Sequence, residues 1–302
     1  MKLFLIRHGE TTDNVAGRYA GTTDSPLTTH GVLQATRLGQ YLTNQGVRFT
    51  DIFSSDLQRA KITAYAVRDA QNAGGSEEQS SGVPVTQLAS LREQDFGSYE
   101  GKPFHSRSKE SNKSGKDLHR EQHLGEEGFQ DVESKESMIV RVEDFLDKIM
   151  LPVLLTVSNE DNVTVGIVSH GIILSVLWRS LLRRLPPRSV TLSPTNAGRT
   201  IDTTLEYLGG WSNTGYLEVH LSRDSASVPQ GSLRKSPASE STSKTVSIIQ
   251  SGKMLVDFRA TIVSINSTEH LVGLKRTGSG IGSSRFDESQ RSIDAFFRKI
   301  PN

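Results

Sequence analysis

The chain has 302 residues, 34% of them hydrophobic, 23% charged and none of them cysteine. Without thiols there are no disulfides, no thiolate-bound zinc or iron–sulfur sites and no cysteine nucleophile, so covalent chemistry falls to histidine, serine, threonine, lysine or a carboxylate. The net charge of +1 is split unevenly: residues 223–302 carry 12 Lys+Arg against 7 Asp+Glu, leaving 23 against 27 in residues 1–222, a basic excess too mild for a nucleic-acid footprint.

Taken in chain order, residues 2–6 (KLFLI) form a short apolar run ending at Arg7, His8 and Gly9, which suits a buried strand. At about six residues before Arg7-His8 this run is too short for a signal-peptide core, and no later run approaches the roughly 18 apolar residues of a membrane span, so neither is expected. Thr28 is an N-cap candidate for a helix reaching about Asn44, with Val32, Ala35, Leu38 and Leu42 near helical spacing. Residues 51–54 (DIFS) read as a strand and 57–70 as a helix. The polar stretches 72–82 and 105–127 predict loops. Met138, Val142, Phe145, Leu146 and Ile149 recur at i, i+4, i+7, i+8 and i+11, one face of an amphipathic helix. A second buried strand is expected over 163–168 (VTVGIV), ending at Ser169, His170 and Gly171 before an apolar helix. Residues 216–221 and the later Ile262, Val263 and Ile265 predict an antiparallel edge hairpin. The Ser-rich stretch 223–253 between them has little to bury and is expected to be a disordered insertion. Alternating strands and helices predict an α/β domain over 1–274, followed by a Gly/Ser-rich tail, 275–302.

Open α/β sheets place their ligand crevice at the carboxyl ends of parallel strands, so His8 and His170 are expected on one rim. Arg7 sits beside His8, and Arg59 starts the helix after the second strand. An imidazole is partly unprotonated at neutral pH and can carry a phosphoryl group, while guanidinium forks meet phosphoryl oxygens without a metal. No cluster has persuasive metal-ligand spacing, so neither metal nor cofactor is expected.

The residues carry a resemblance. Leu5, Ile6, Arg7, His8, Gly9, Glu10 and Thr11, followed by Asn14, resemble the RHG signature of the histidine phosphatase superfamily, also called phosphoglycerate mutase-like. Asp24-Ser25-Pro26-Leu27-Thr28 with Gly31 and Gln34-Ala35, Ser54-Ser55-Asp56-Leu57-Gln58-Arg59-Ala60 with Thr63-Ala64, Leu91-Arg92-Glu93 through Glu100-Gly101, and Val168-Ser169-His170-Gly171 are similar to four further family motifs in order. The resemblance implies a three-layer α/β sandwich around a mostly parallel sheet. It also implies His8 as the nucleophile, Arg7, Arg59 and His170 around the phosphoryl oxygens, Asn14 as a further hydrogen-bonding group, and Glu93 as the acid for the leaving oxygen. Asp24, Pro26 and Leu27 read as turn and packing residues.

Two places concern substrate. Relatives often have Gly-Gly-Glu-Ser before the long helix, where this chain has Asp131-Val132-Glu133-Ser134, and residues 105–130 match no nameable pattern. Asn213-Thr214-Gly215 and residues 265–274 resemble fructose-2,6-bisphosphatase-type phosphatases most. At the end of the chain, Gln290, Ile293, Phe296 and Phe297 resemble the box that binds the sliding clamp, proliferating cell nuclear antigen. One helical turn there would group the three apolar side chains as a plug, with Gln290 apart.

The expected function is a metal-independent phosphatase for a small phosphorylated metabolite, such as a sugar bisphosphate. Its alternatives are a phosphoglycerate mutase-type phosphotransferase and a non-catalytic clamp-binding protein on a phosphatase scaffold. The expected location is cytoplasmic, and nuclear where the tail engages a clamp; no direct nucleic-acid or membrane partner is expected.

Overall fold

The computed structural model describes residues 1–73, 82–104, 117, 120–121, 123–156, 162–194, 205–223, 253–275 and 283–286. Among them the strands are β1 (Lys2–Arg7), β2 (Asp51–Ser55), β3 (Val85–Leu88), β4 (Thr164–Ser169), β5 (Val190–Leu192), β6 (Tyr216–Arg223) and β7 (Phe258–Ser267). They form one sheet in the order β3-β2-β4-β1-β6-β7-β5. The β1–β4, β2–β4, β2–β3 and β5–β7 pairs are parallel, while β6 runs antiparallel to both β1 and β7.

β1 shows why the run KLFLI has no polar alternation. Leu3 and Leu5 face one core, Phe4 and Ile6 the other, and all four are buried. A strand covered on both faces must be apolar throughout. The helices are α1 (Thr12–Ala16), α2 (Thr29–Asn44), α3 (Gln58–Asn72), α4 (Lys135–Phe145), α5 (Leu151–Thr156) and α6 (Gly171–Arg184). Leu38 and Leu42 of α2 with Ala60, Ala64 and Val67 of α3 cover the Phe4/Ile6 face. Met138, Val142 and Phe145 of α4, Leu154 of α5 and Leu174, Leu177 and Trp178 of α6 cover the Leu3/Leu5 face. The result is a three-layer α/β sandwich around a mostly parallel sheet. Among the described residues no helix is long and apolar enough to cross a membrane.

Two local expectations change. The helical spacing through Ile149 slips by one residue, because Leu146–Met150 form a π turn. Met150 is buried at 1% exposure, whereas Ile149 is only partly buried. Pro152, just beyond, has no N–H to return to the preceding turn, and a π turn accommodates such a break by adding one residue. The β6–β7 hairpin is not at the edge, since β5 pairs with β7; three residues are too few to show a period. The short β3 and α1 were likewise without a sequence signal of their own.

Most of the 223–253 insertion, most of 105–127 and the 290–297 motif lie outside the described residues. Within the stretch read as linker, Arg285 pairs with Thr28 and Phe286 N donates to Leu27 O.

Close backbone approach explains two motif glycines. A Cβ on Gly9 would lie 2.5 Å from Gly31 O, and one on Gly31 would lie 2.1 Å from Glu10 O. The start of α2 therefore rests directly on the chain that follows His8. Around it, Thr28 Oγ1 donates to Glu10 Oε1, Glu10 N to Gln34 Oε1 and Gly9 N to Thr63 Oγ1. We expect Gly31→Ala to cost about 1–3 kcal/mol or more through overpacking. Gly125→Ala, where a Cβ meets nothing within 4 Å, should leave thermal denaturation nearly unchanged; equal melting shifts for both variants would refute this account.

Candidate active site

The register of β1 on β4 pairs Arg7 with Ser169, and His8 N donates to Ser169 O at 3.0 Å. The next residue on each strand is a histidine. Their rings emerge side by side at the carboxyl edge, with centroids 5.0 Å apart, at 4% and 0% exposure for His8 and His170.

Hydrogen bonds assign the two tautomers. His8 Nδ1 lies 2.7 Å from Gly9 O; a carbonyl only accepts, so Nδ1 carries the proton and Nε2 the lone pair. His170 is the reverse: Arg59 Nε donates to its Nδ1 at 3.2 Å, leaving the proton on Nε2, which is buried without a hydrogen-bond partner. One ring thus offers a nucleophilic nitrogen and the other a donor. Burial first, then the Arg59 and Arg7 charges, hold the His8 imidazole well below the ordinary histidine range, against the Gly9 carbonyl. Burial, Arg59, His8 and Arg7 do the same to His170. Both rings are therefore neutral at neutral pH.

Arg59 enters from the first turn of α3 and is almost wholly buried. Besides His170 it donates to Thr23 O, Ala20 O and Gly21 O, at 2.8, 3.3 and 2.5 Å. Those carbonyls are aimed by Glu100, whose carboxylate accepts the N–H groups of Gly21, Thr22, Thr23 and Phe96. Asp24 accepts from Gln58 N and so caps α3, which gives the expected turn residue a definite job. Arg7 donates through Nη1 to Trp211 O at 2.5 Å, while its buried Nε has no partner.

Glu93 follows the 3₁₀ turn Ala89–Leu91, which Ser169 Oγ ties to β4 through Leu91 O at 2.6 Å. Its carboxylate accepts from Ile172 N and Ile173 N at the start of α6, at 3.1 Å each, and from Gln94 N at 3.0 Å. Asn14 lies in α1, and its Oδ1 already accepts from Thr11 N and Asn213 Nδ2; only its Nδ2 is left to offer a ligand.

The structure thus brings Arg7, His8, Arg59, Glu93 and His170 together, with Asn14 at the border. Sequence reasoning did not assign site roles to Trp211, which holds Arg7, or to Asn213 and Thr214, whose Nδ2 and backbone N donate to His8 O. Asn213-Thr214-Gly215 was visible as a motif, but nothing local says which strand edge it meets. Among the described residues no group of three or more His, Asp or Glu is arranged to hold a metal ion.

A family model described as Histidine phosphatase superfamily (branch 1) matches residues 3–213. A probable phosphatase of Schizosaccharomyces pombe is 27% identical over 298 residues, spanning 98% of this chain and 79% of that protein. A broad-specificity phosphatase of Saccharomyces cerevisiae is 29% identical over 171 residues, 57% of this chain and 66% of that protein. Among solved structures, a phosphoglycerate mutase from Bacillus anthracis aligns with a TM-score of 0.50 at 26% identity, covering 72% of this chain and 87% of that one.

The depressed histidines make stability depend on pH in a defined direction. Unfolded histidines titrate near 6.5, so as pH falls the unfolded chain takes up protons before the folded one. The contribution is complete above about pH 6.5 and is lost progressively below it. His270 belongs to the same set, since burial lowers it to about 4, and it contacts Thr214 Oγ1 through Nε2 at 2.8 Å. Thermal denaturation should show little change from pH 8 to 7 and a falling midpoint below 6.5, with a shallower fall in His270→Gln. A midpoint that rises on acidification would contradict the assignment.

Proposed function

The chain belongs to the histidine phosphatase superfamily, branch 1, and from that premise we propose that it hydrolyses a small phosphorylated metabolite through a phosphohistidine on His8. The observation that carries the reading is the pair of buried donors without partners among the described residues, Arg7 Nε and His170 Nε2, beside the lone pair of His8 Nε2. A buried donor left unpaired costs about 1–3 kcal/mol, and a phosphoryl group satisfies both while its phosphorus meets the nucleophile.

In the first step His8 Nε2 attacks phosphorus. The new P–N bond forms as the ester P–O bond breaks, and Glu93, which must enter this step protonated, gives its proton to the departing oxygen. In the second, water attacks the phosphohistidine, Glu93 takes the proton back, the P–N bond breaks and phosphate leaves. Arg7, Arg59 and His170 hold the charge on the equatorial oxygens throughout, so the protein itself supplies the cations this chemistry needs.

A phosphomonoester of sugar type, including a sugar bisphosphate, is the substrate class we assign. The finer likeness to fructose-2,6-bisphosphatase-type enzymes is supported by sequence, in Asn213-Thr214-Gly215 and residues 265–274. Hydrolysis is preferred to the mutase reaction because the two curated relatives above are named phosphatases. We further assign the 290–297 motif to a sliding clamp, with Ile293, Phe296 and Phe297 as the plug and Gln290 as the polar contact; a nuclear pool follows from that partner.

His8→Ala should lower phosphate release from a panel of sugar phosphates and phosphoglycerates by about 10³-fold or more, and acid-labile label from a phosphorylated substrate should no longer bind the protein. Retained activity in this variant would remove His8 as nucleophile. Label transferred to an isomeric product, in place of free phosphate, would favour the mutase. Wild-type protein inactive on the whole panel would favour the scaffold reading. For the tail, Phe296→Ala with Phe297→Ala should abolish binding of purified clamp to the full chain; unchanged binding would end that assignment.

A further inference from the structure

Arg141 lies on α4, and its guanidinium reaches the segment that carries Glu93. Nη1 donates to Ser90 O at 2.8 Å and Arg92 O at 2.6 Å, and Nη2 donates to Glu93 O at 3.1 Å. Nε and Nη2 also donate to the two carboxylate oxygens of Glu133, each at 2.9 Å. Three of the five hydrogen bonds from this planar fork therefore fix the backbone carbonyls of residues 90, 92 and 93 relative to α4, and the other two hold Glu133.

Glu133 extends the clamp past Glu93. Its Oε2 accepts from Asp95 N at 3.2 Å, its carbonyl accepts from Gln94 Nε2 at 2.7 Å, and its own N–H donates to Asp95 O at 2.7 Å. Ser137 Oγ donates to the remaining carboxylate oxygen at 2.9 Å. Both partners are largely enclosed, at 20% and 13% side-chain exposure. Burial alone would push the Glu133 carboxyl up, but the Arg141 guanidinium, the Ser137 hydroxyl and the Asp95 N–H bring it below the ordinary carboxylate range. The pair is thus a lasting ion pair that grips the chain on both sides of Glu93, while the Glu93 carboxylate itself hangs on Ile172 N and Ile173 N.

We infer that Arg141 and Glu133 are positioning residues for Glu93, holding its carboxyl at the place where the leaving oxygen must receive a proton. The inference rests on the reading of Glu93 as the acid. Positional error of about 1 Å is enough to cost two orders of magnitude in rate, and the clamp acts on the backbone that sets this distance. Its loss should consequently be felt in proportion to how much the leaving group needs a proton. An aryl phosphate releases a stable phenolate and needs little help; an alkyl phosphate releases an alkoxide and needs the acid fully.

The test compares kcat/KM, which covers the steps through departure of the leaving group, for p-nitrophenyl phosphate and glycerol 2-phosphate. The proteins are the full-length wild type, Glu93→Gln, Arg141→Gln, Glu133→Gln and the Arg141→Gln/Glu93→Gln double variant, each checked by thermal denaturation. Glu93→Gln should lose about 10²–10⁴-fold on the alkyl ester and far less on the aryl ester. Arg141→Gln should show the same asymmetry, at least tenfold more loss on the alkyl ester, and the double variant should be no worse than Glu93→Gln. Glu133→Gln, which keeps the shape and removes the charge, should show a smaller asymmetry of the same sign, and it carries the test if Arg141→Gln does not fold. Equal loss on both esters for Arg141→Gln and Glu133→Gln, or additive losses in the double variant, would overturn the positioning role. Should Glu93→Gln itself treat the two esters alike, the acid reading fails and the inference falls with it, an outcome distinct from failure of the clamp alone.

Discussion

One wholly buried guanidinium, Arg59, and one partly buried, Arg7, stand at one rim of this protein, and most of the surrounding architecture follows from that. A buried charge is costly unless it is paired or well hydrogen-bonded. Arg59 meets the requirement through three carbonyls and an imidazole, with no carboxylate in direct contact among the described residues. Opposing charge comes at a distance from Glu93, then Asp24 and Glu100, and Glu100 also orients the carbonyls through the N–H groups of residues 21–23. Dipoles stabilise the guanidinium without cancelling its field, so positive potential remains for an anionic ligand. A direct ion pair would have stabilised Arg59 and disarmed the site.

The same economy appears at the start of α6. His170 is the residue before the helix, and the first free N–H groups behind it, on Ile172 and Ile173, take the Glu93 carboxylate. Unsatisfied N–H groups at a helix N-terminus favour an anion, so one structural feature places a histidine and a carboxyl on the same pocket. The Arg141–Glu133 pair then fixes the backbone of that carboxyl from the opposite side. Glu93 is thereby held at both its chain and its head.

The elements that were legible in the sequence are those whose burial is complete or periodic. β1 and β4 read as unbroken apolar runs because both faces are covered, and α2 and the first part of α4 follow from helical spacing. Where the physics is not periodic, the reading stops. β3 and β5 are short and lie at the sheet's margins, and the π turn after Phe145 adds a residue that no pattern announces. The antiparallel pairing of β6 and β7 was readable, but its place inside the sheet was not, since that depends on three residues of β5.

A similar division runs through the site. Arg7, His8, Arg59, Glu93 and His170 stood out because each lies in a short run of residues with a recognisable chemistry, and the absence of cysteine had already directed attention to histidine. The sequence alone therefore determined which groups could react. Only the tertiary structure decided which nitrogen of each imidazole bears the proton, that Asn14 spends its oxygen on Thr11 and Asn213, and that Arg7 meets Trp211 while Arg141 meets the backbone of Glu93. The reason is distance along the chain: Arg59 meets His170 across 111 residues and Arg7 meets Trp211 across 204. Such contacts exist only once β4 has paired with β1 and the sheet has brought both histidines to one edge.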